Sequence, residues 1–429
     1  VSPTSIQSVK GTHDILPDEV GAWHRIEDTA RALFSRYGYR EVRPPVIEET
    51  QLFARSIGAE TDIVAKEMYT FEDRDGSSIT LRPEATAGIV RAVIEHNLMN
   101  TDPALKVFAL GPMFRRERPQ KGRYRQFHQV DVEAFGVAEP TVDVEVIEVA
   151  LEYLKACGLA EGLELVLNSV GDRECRPAYM ATLQSALAKD VARMCGDCQR
   201  RAQANPLRVL DCKVPQDQPI IEALPRLADH LCGPCRDHFA QVRHGLDLLG
   251  IAYTLSHRLV RGLDYYTRTT FEVTSGALGA QNSVLGGGRY DGLVKELGGP
   301  DLPAIGFALG MERLVLALPA PAAERRCEVL VAVPGRKEDG AGARPGLDQA
   351  MRLERALRAG GRIVMLEHEP RSFKSTLKQA DRLRCRFLAL LGEDERARGV
   401  WTLRDMDHST QEAVEEARVA AYLEEKLRG

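Results

Sequence analysis

Apolar spacing along the chain switches between two periods, and the switch points outline the elements. Trp23, Ile26, Ala30, Leu33, Phe34 and Tyr37 recur at three- and four-residue intervals, which predicts a helix stopped by Gly38. Residues 39–42 predict a short strand ended by Pro44 and Pro45. Ile89, Val90, Val93, Ile94 and Leu98 stripe a second helix, with Pro83 suited to its first position. Residues 106–115 read as a strand, Pro119-Gln120-Lys121-Gly122 as a turn, and the stretch to Phe135 as a return strand. On that return strand Gln129, Asp131 and Glu133 share one face, while Val130, Val132 and Ala134 share the other. A helix over 141–157 and a strand over 163–170 follow.

Between residues 171 and 257 the pattern changes to helix-like pieces rich in Ala, Leu and Arg, which reads as an insertion. Residues 259–273 then predict a strand with a glycine bend, 286–292 a glycine-rich turn into a helix, and 304–313 a strand entering a helix. Residues 319–326 read as a linker. Beyond it, strands at 328–333, 362–366, 387–391 and 400–404 alternate with helices at 347–359, around Phe373 to Leu383, and at 411–427. That is the pattern of a small α/β domain.

A chain of 429 residues accommodates two or three such domains. Its 57 basic and 62 acidic residues leave a formal charge of −5. A nucleic-acid partner would therefore be held by local basic patches. One such patch is the hairpin loop, with Arg115, Arg116, Arg118, Lys121, Arg123 and Arg125 beside the polar face of the return strand. A polar floor under a cationic hairpin suits a ligand with anionic and polar parts; an edge hairpin with a solvated face is the alternative. The phosphate loop Gly-x-x-x-x-Gly-Lys-Ser/Thr and the dinucleotide turn Gly-x-Gly-x-x-Gly are both absent. No apolar run reaches membrane-spanning length, and the first ten residues lack a signal-peptide core. With nine cysteines, this points to reduced thiols and a cytoplasmic protein. Cys195-Gly-Asp-Cys198 and Cys232-Gly-Pro-Cys235 offer four thiolates to one structural zinc; the alternative is reduced packing thiols.

The string from Phe114 to Gln129 resembles motif 2 of the class II aminoacyl-tRNA synthetases, in the wording of the histidyl-tRNA synthetase family. Arg82-Pro83-Glu84-Ala85-Thr86 resembles that family's Arg-Pro-Glu-Gly-Thr, with Ala85 in place of the usual Gly. Arg261-Gly262-Leu263-Asp264-Tyr265-Tyr266 resembles its peculiar motif, and Gly310-Met311-Glu312-Arg313 its motif 3. The class I signatures His-Ile-Gly-His and Lys-Met-Ser-Lys-Ser are absent. The resemblance implies an α+β fold: an antiparallel-sheet catalytic core over 1–170 and 258–320, a helical insertion over 171–257, and an anticodon-binding α/β domain over 327–429. It implies a homodimer, with L-histidine, ATP and tRNA(His) as partners, Mg²⁺ as cofactor and no membrane. Zinc is not a general cofactor of the family.

It also implies roles for individual residues. Arg115 and Arg261 would stabilise charge at the reacting carboxylate and α-phosphate. Glu84, Thr86 and Gln129 would hold the α-ammonium, and Glu133 and Tyr266 the imidazole, with Ala85, Tyr265 and Tyr290 lining the histidine pocket. Arg115, Glu117, Arg123 and Arg313 would serve ATP; Gln120, Lys121 and Arg123 would meet the tRNA acceptor end. The chief alternative is a paralogue that charges no tRNA and regulates the first enzyme of histidine biosynthesis. Such paralogues typically lack the C-terminal domain and degrade the double-Tyr motif, and both are intact here. A class II synthetase for another amino acid and a non-catalytic tRNA-binding sensor are weaker alternatives.

Overall fold

The computed structural model describes residues 6–58, 61, 63–260, 263, 265–278, 282–319, 325–335 and 344–428. Contacts divide the chain into two units, Val1–Pro319 and Ala320–Gly429.

The first unit is built on an eight-stranded sheet. Its strands are β1 (Arg40–Glu41), β2 (Lys106–Phe114), β3 (Gln126–Phe135), β4 (Leu163–Ser169), β5 (Thr254–Leu255), β6 (Thr267–Ser275), β7 (Ser283–Arg289) and β8 (Ala304–Gly310). They lie in the order β1-β2-β3-β8-β7-β6-β4-β5. Only the β1–β2 and β4–β5 pairs are parallel. The predicted hairpin is therefore not an edge: β3 runs between β2 and β8.

Period two sorts the residues of this sheet onto two faces. One face carries Phe108, Val130, Val132, Ile305, Phe307, Leu309, Leu285, Phe271 and Val273, all in one core cluster. Helix α1 (Pro17–Arg36) buries Trp23, Ile26, Ala30, Leu33 and Phe34 in that cluster. Helix α3 (Pro140–Ala156), which follows α2 (Thr86–Glu95) in the chain, adds Val146, Ile147, Val149 and Tyr153. Phe34 sits 5.2 Å from Phe108 and 4.9 Å from Tyr153, ring centre to ring centre. Burying such aromatics contributes about 1.5–3 kcal/mol each.

The other face is made of small and polar residues. Register pairs Gln129, Asp131 and Glu133 of β3 with Gly310, Ala308 and Gly306 of β8, and Gly286 and Gly288 of β7 continue the row. Small neighbours leave room above the sheet for something other than protein. A Cβ at Gly306 would run into the Glu133 carboxylate and the Val132 carbonyl oxygen.

Between β4 and β5 lie α4 (Arg176–Leu187), α5 (Gly196–Ala204), several single turns and α6 (Gly233–Leu248). Their apolar side chains, including Tyr179, Leu183, Val209 and Ile221, join the cluster that holds Ile89 and Val93 of α2 and Tyr290. Helix α7 (Met311–Ala317) closes the unit.

The second unit is an α/β layer. Strands β9 (Val329–Ala332), β10 (Val364–Leu366), β11 (Phe387–Leu390), β12 (Val400–Asp405) and β13 (Thr410–Glu415) lie in the order β10-β9-β11-β12-β13, the first three parallel. Helices α8 (Leu347–Ala359), α9 (Phe373–Leu383) and α10 (Val419–Leu427) pack on it. Buried Trp401 sits with Leu353, Leu357 and Leu423 at its core. No helix among the described residues is long and apolar enough to cross a membrane.

Several expectations change. The helix expected over 411–427 is first strand β13, paired with β12, and only then helix α10. Glu412, Ala413 and Glu415 are ordinary helix formers, so propensity pointed the wrong way; the edge pairing and inward Val414 override it. Gly286, Gly287 and Gly288 sit inside β7 rather than in a turn, and close approach of neighbouring backbone, not positive φ, requires glycine at Gly287 and Gly288. Helix α2 begins at Thr86, three residues after Pro83. The two Cys-x-x-Cys pairs do not meet in one site: Cys195 and Cys198 lie with Cys212 and Asp217, Cys232 and Cys235 with Asp172 and Cys175.

Candidate active site

The polar sheet face is the floor of a cleft of about 750 Å³. Three elements converge on the floor's deep end. Glu84, just before α2, accepts the Thr86 and Ala87 backbone N–H groups at 2.8 and 2.9 Å, satisfying donors that the helix start leaves open. The Thr86 hydroxyl donates to Glu133 Oε1 at 2.6 Å, and the Tyr290 hydroxyl donates to Glu133 Oε2 at 2.5 Å. Helix start, floor strand and the end of β7 are thus tied at one carboxylate. Ala85, between Glu84 and Thr86, is fully buried.

Burial dominates the electrostatics. It pushes the Glu133 carboxyl from 4.5 up to about 8 against the two hydroxyl donors, with the Glu84 charge adding to the rise. Burial also raises Glu84, and it raises Asp131 well above the usual carboxylate range, with Glu133 and Glu84 contributing. Three carboxyls share this floor, and among the described residues Gln129 Oε1 and Asp131 Oδ2 are buried with no hydrogen-bond partner. Such a floor is a receptor for N–H donors and positive charge.

Aromatic rings close the deep end. Tyr265 stands 4.8 Å from Tyr266 and 5.6 Å, edge-on, from Tyr290. Toward the rim, cations replace carboxyls. Arg115 donates from Nε to the Pro83 carbonyl at 2.8 Å and lies 5.2 Å over the Phe127 ring. Arg313 donates to the Ser283 carbonyl at 2.8 Å and the Gly122 carbonyl at 3.4 Å. Burial lowers its pKa, and neighbouring Arg123 pushes the same way, while Glu117 and Glu272 oppose. Arg123 meets Glu117 at 3.4 Å. Two opposed hydrogen bonds between Gln120 and Arg123 tighten the turn, where Gly122 takes φ +74°. Gln120, Lys121 and Arg123 are exposed at its tip.

The structure thus brings Glu84, Thr86, Arg115, Glu117, Arg123, Gln129, Glu133, Tyr265, Tyr266, Tyr290 and Arg313 to one cleft. Arg261 lies outside the described residues, with Gly262 and Asp264. Sequence reasoning passed over four features. Asp131 was seen on the polar face but given no role. Phe127, on β3 like Asp131, lies under Arg115. Lys213 and Arg258, from the stretch between β4 and β6, add positive charge to the wall. The Arg-rich composition of that segment was the available signal.

Family models match the chain twice: histidyl-tRNA synthetase over residues 11–314, and an anticodon binding domain over residues 328–426. The chain belongs to the histidyl-tRNA synthetase family. A histidine--tRNA ligase of Solibacter usitatus is 51% identical over 98% of this chain and 99% of its own. One of Syntrophotalea carbinolica is 49% identical over 99% of this chain and the whole of its own. The apo S. aureus histidyl-tRNA synthetase superposes with TM-score 0.79 at 35% identity, covering 98% of this chain and all of the other. Membership thus spans both units, and the cleft falls wholly within the first, which the histidyl-tRNA synthetase model matches.

Proposed function

We propose that this cleft joins L-histidine to ATP and passes the histidyl group to the 3′ end of tRNA(His). A histidine carboxylate oxygen attacks the α-phosphorus, the bond to the β-phosphate breaks, and pyrophosphate leaves. The terminal hydroxyl of the tRNA then attacks the adenylate carbonyl, and AMP leaves. The observation that carries the reading is the polarity of the cleft, with acceptors at the buried end and fixed cations toward the rim. Full-length relatives named histidine--tRNA ligase disfavour the regulatory paralogue.

At the buried end, Gln129 Oε1 and Asp131 Oδ2 would take the α-ammonium, with Glu84 supplying charge from its place on the helix start. Glu133, held by Thr86 and Tyr290, would take an imidazole N–H beside Tyr265 and Tyr266. Specificity follows, because an amino acid lacking ring N–H groups forgoes that hydrogen bond, which contributes about 0.5–3 kcal/mol. Arg115 would face the negative charge that builds at phosphorus, already held by Pro83 and Phe127. A donor fixed beforehand needs no reorganisation as the charge develops. Arg261 would act with it, as the family resemblance implies, and Arg313 would hold the outer phosphates.

Mg²⁺ suits the same rim. Glu117 and Glu272 both act on Arg313, so hard oxygen donors stand near the proposed phosphates. Magnesium binds through one or two carboxylates plus substrate phosphates. These two side chains would hold it, and it would neutralise phosphate charge.

The hairpin tip would meet the tRNA acceptor end through Gln120, Lys121 and Arg123, and the second unit would read the anticodon. We place the enzyme in the cytoplasm as a homodimer, as the family resemblance implies. Histidine-dependent ATP–pyrophosphate exchange tests the activation step, and charging of tRNA(His) tests the second.

A further inference from the structure

The inserted segment carries six of the nine cysteines. Four of them stood out by spacing; Cys175 and Cys212 did not. The fold sorts all six into two groups, each with one aspartate. Asp172, Cys175, Cys232 and Cys235 form the first group, and Cys195, Cys198, Cys212 and Asp217 the second. Within each, the ligand atoms lie within 4.8 Å of one another.

The spacings are those of a tetrahedron. A zinc–sulfur bond of about 2.3 Å gives tetrahedral sulfur–sulfur edges of about 3.8 Å, and a zinc–oxygen bond of about 2.1 Å gives mixed edges of about 3.6 Å. Cys175 and Cys235 Sγ are 3.9 Å apart, and so are Cys195 and Cys212 Sγ. Asp172 Oδ1 lies 3.5 Å from Cys175 Sγ and 3.8 Å from Cys232 Sγ. Asp217 Oδ2 lies 3.2 Å from Cys212 Sγ. Backbone N–H groups already point at the sulfurs: Asp172 to Cys175 at 3.3 Å, Cys198 to Cys195 at 3.4 Å, and Val214 to Cys212 at 3.4 Å. Such donors orient and stabilise thiolate ligands.

A second observation is the Asp217 carboxylate. It is fully buried, and among the described residues no Lys, Arg or His pairs with it. It accepts the Cys195 N–H at 3.0 Å and otherwise faces thiols. A buried carboxylate is stable when a cation neutralises it, and three sulfurs are the other part of a soft-metal shell. Disulfides fit less well, because three cysteines per group cannot all pair.

We propose that the inserted segment holds two structural Zn²⁺ ions, each bound by three cysteines and one aspartate. Four protein ligands close each shell, which is the mark of a structural rather than catalytic zinc. The first ion clips the start of α4 to the start of α6, across the length of the segment. The second ties the turn before α5 to the loop of Cys212–Asp217, next to Lys213 on the cleft wall. Two metal clips would hold short helices and single turns that have little core of their own.

The test is metal content by plasma mass spectrometry on the full chain, purified without chelator. The expected result is two zinc ions per chain. Cys198→Ser and Cys235→Ser should each lose one, and the double variant both. Cobalt offered to the chain stripped of zinc should give tetrahedral and thiolate charge-transfer absorption at two equivalents, a readout independent of any variant's folding. One zinc per chain, lost equally to either substitution, would overturn the proposal in favour of a single site. No zinc from a zinc-supplied preparation, with no cobalt spectrum, would leave packing thiols.

Discussion

The root and the tip of one hairpin, strands β2 and β3 with their loop, do opposite things with charge. At the root Gln129, Asp131 and Glu133 are buried, and Glu133 is locked by two hydroxyls from separate elements. At the tip Gln120 and Lys121 are exposed, on a turn closed by two backbone bonds and by one from Arg313 to the Gly122 carbonyl. Burial fixes the root carboxyls in place and holds back their charge until a matching donor or cation enters, which is what choosing one small molecule requires. Solvation keeps the tip cations weak and mobile singly, which is sufficient for a polyanion met at several phosphates. Arg115 stands between the two, where buried geometry meets positive charge. Local environment, more than residue type, separates the tasks.

The largest effect should come from that junction. Arg115→Ala should lower histidine-dependent exchange by about 10²–10³-fold, as loss of one preorganised donor does. Histidine affinity, read by calorimetry, should change much less. Arg261→Ala should behave alike, and retention of most of its exchange rate would remove that residue from the chemistry.

A perturbation of the root should come next. Gly306→Ala puts a methyl against the Glu133 carboxylate, at about 1–3 kcal/mol of overpacking. Histidine binding should weaken by about 10–100-fold while ATP binding holds. If both fall together, root and rim are not separable.

Glu133→Gln sharpens the same end through pH. In the folded protein this carboxyl keeps its proton up to about 8, whereas unfolded it would lose it near 4.5. The folded state therefore binds the extra proton between those values, and its stability falls as pH rises through that window. Thermal melts of the ligand-free protein should show this slope, and Glu133→Gln should flatten it. An unchanged slope would assign it to Glu84 or Asp131, both raised in the same direction.

The smallest effect belongs to the tip. Lys121→Ala should raise the KM for tRNA by up to about tenfold and cut the salt slope by about one, with exchange nearly unchanged. Equal losses in both steps would erase the distinction between tip and root.

Much of this was legible in sequence. Period two on the return strand placed Gln129, Asp131 and Glu133 together, and motif spacing brought Glu84, Arg115, Tyr290 and Arg313 into view. Whether the polar face met water or a cleft was not legible, because that depends on strand order and on Gly306, Ala308 and Gly310 lying opposite. The partnership of Cys175 with Asp172 was hidden for the same reason: Cys232 and Cys235 reach them only through the fold. Strand β13 was missed because Gln, Glu and Ala favour helices until an edge offers them a partner.

The most direct test is ATP–pyrophosphate exchange with each amino acid in turn. Exchange with histidine alone is the expected result, and it would establish activation and selectivity together. No exchange, in folded protein that still binds histidine, would contradict it and turn the reading toward a regulatory paralogue.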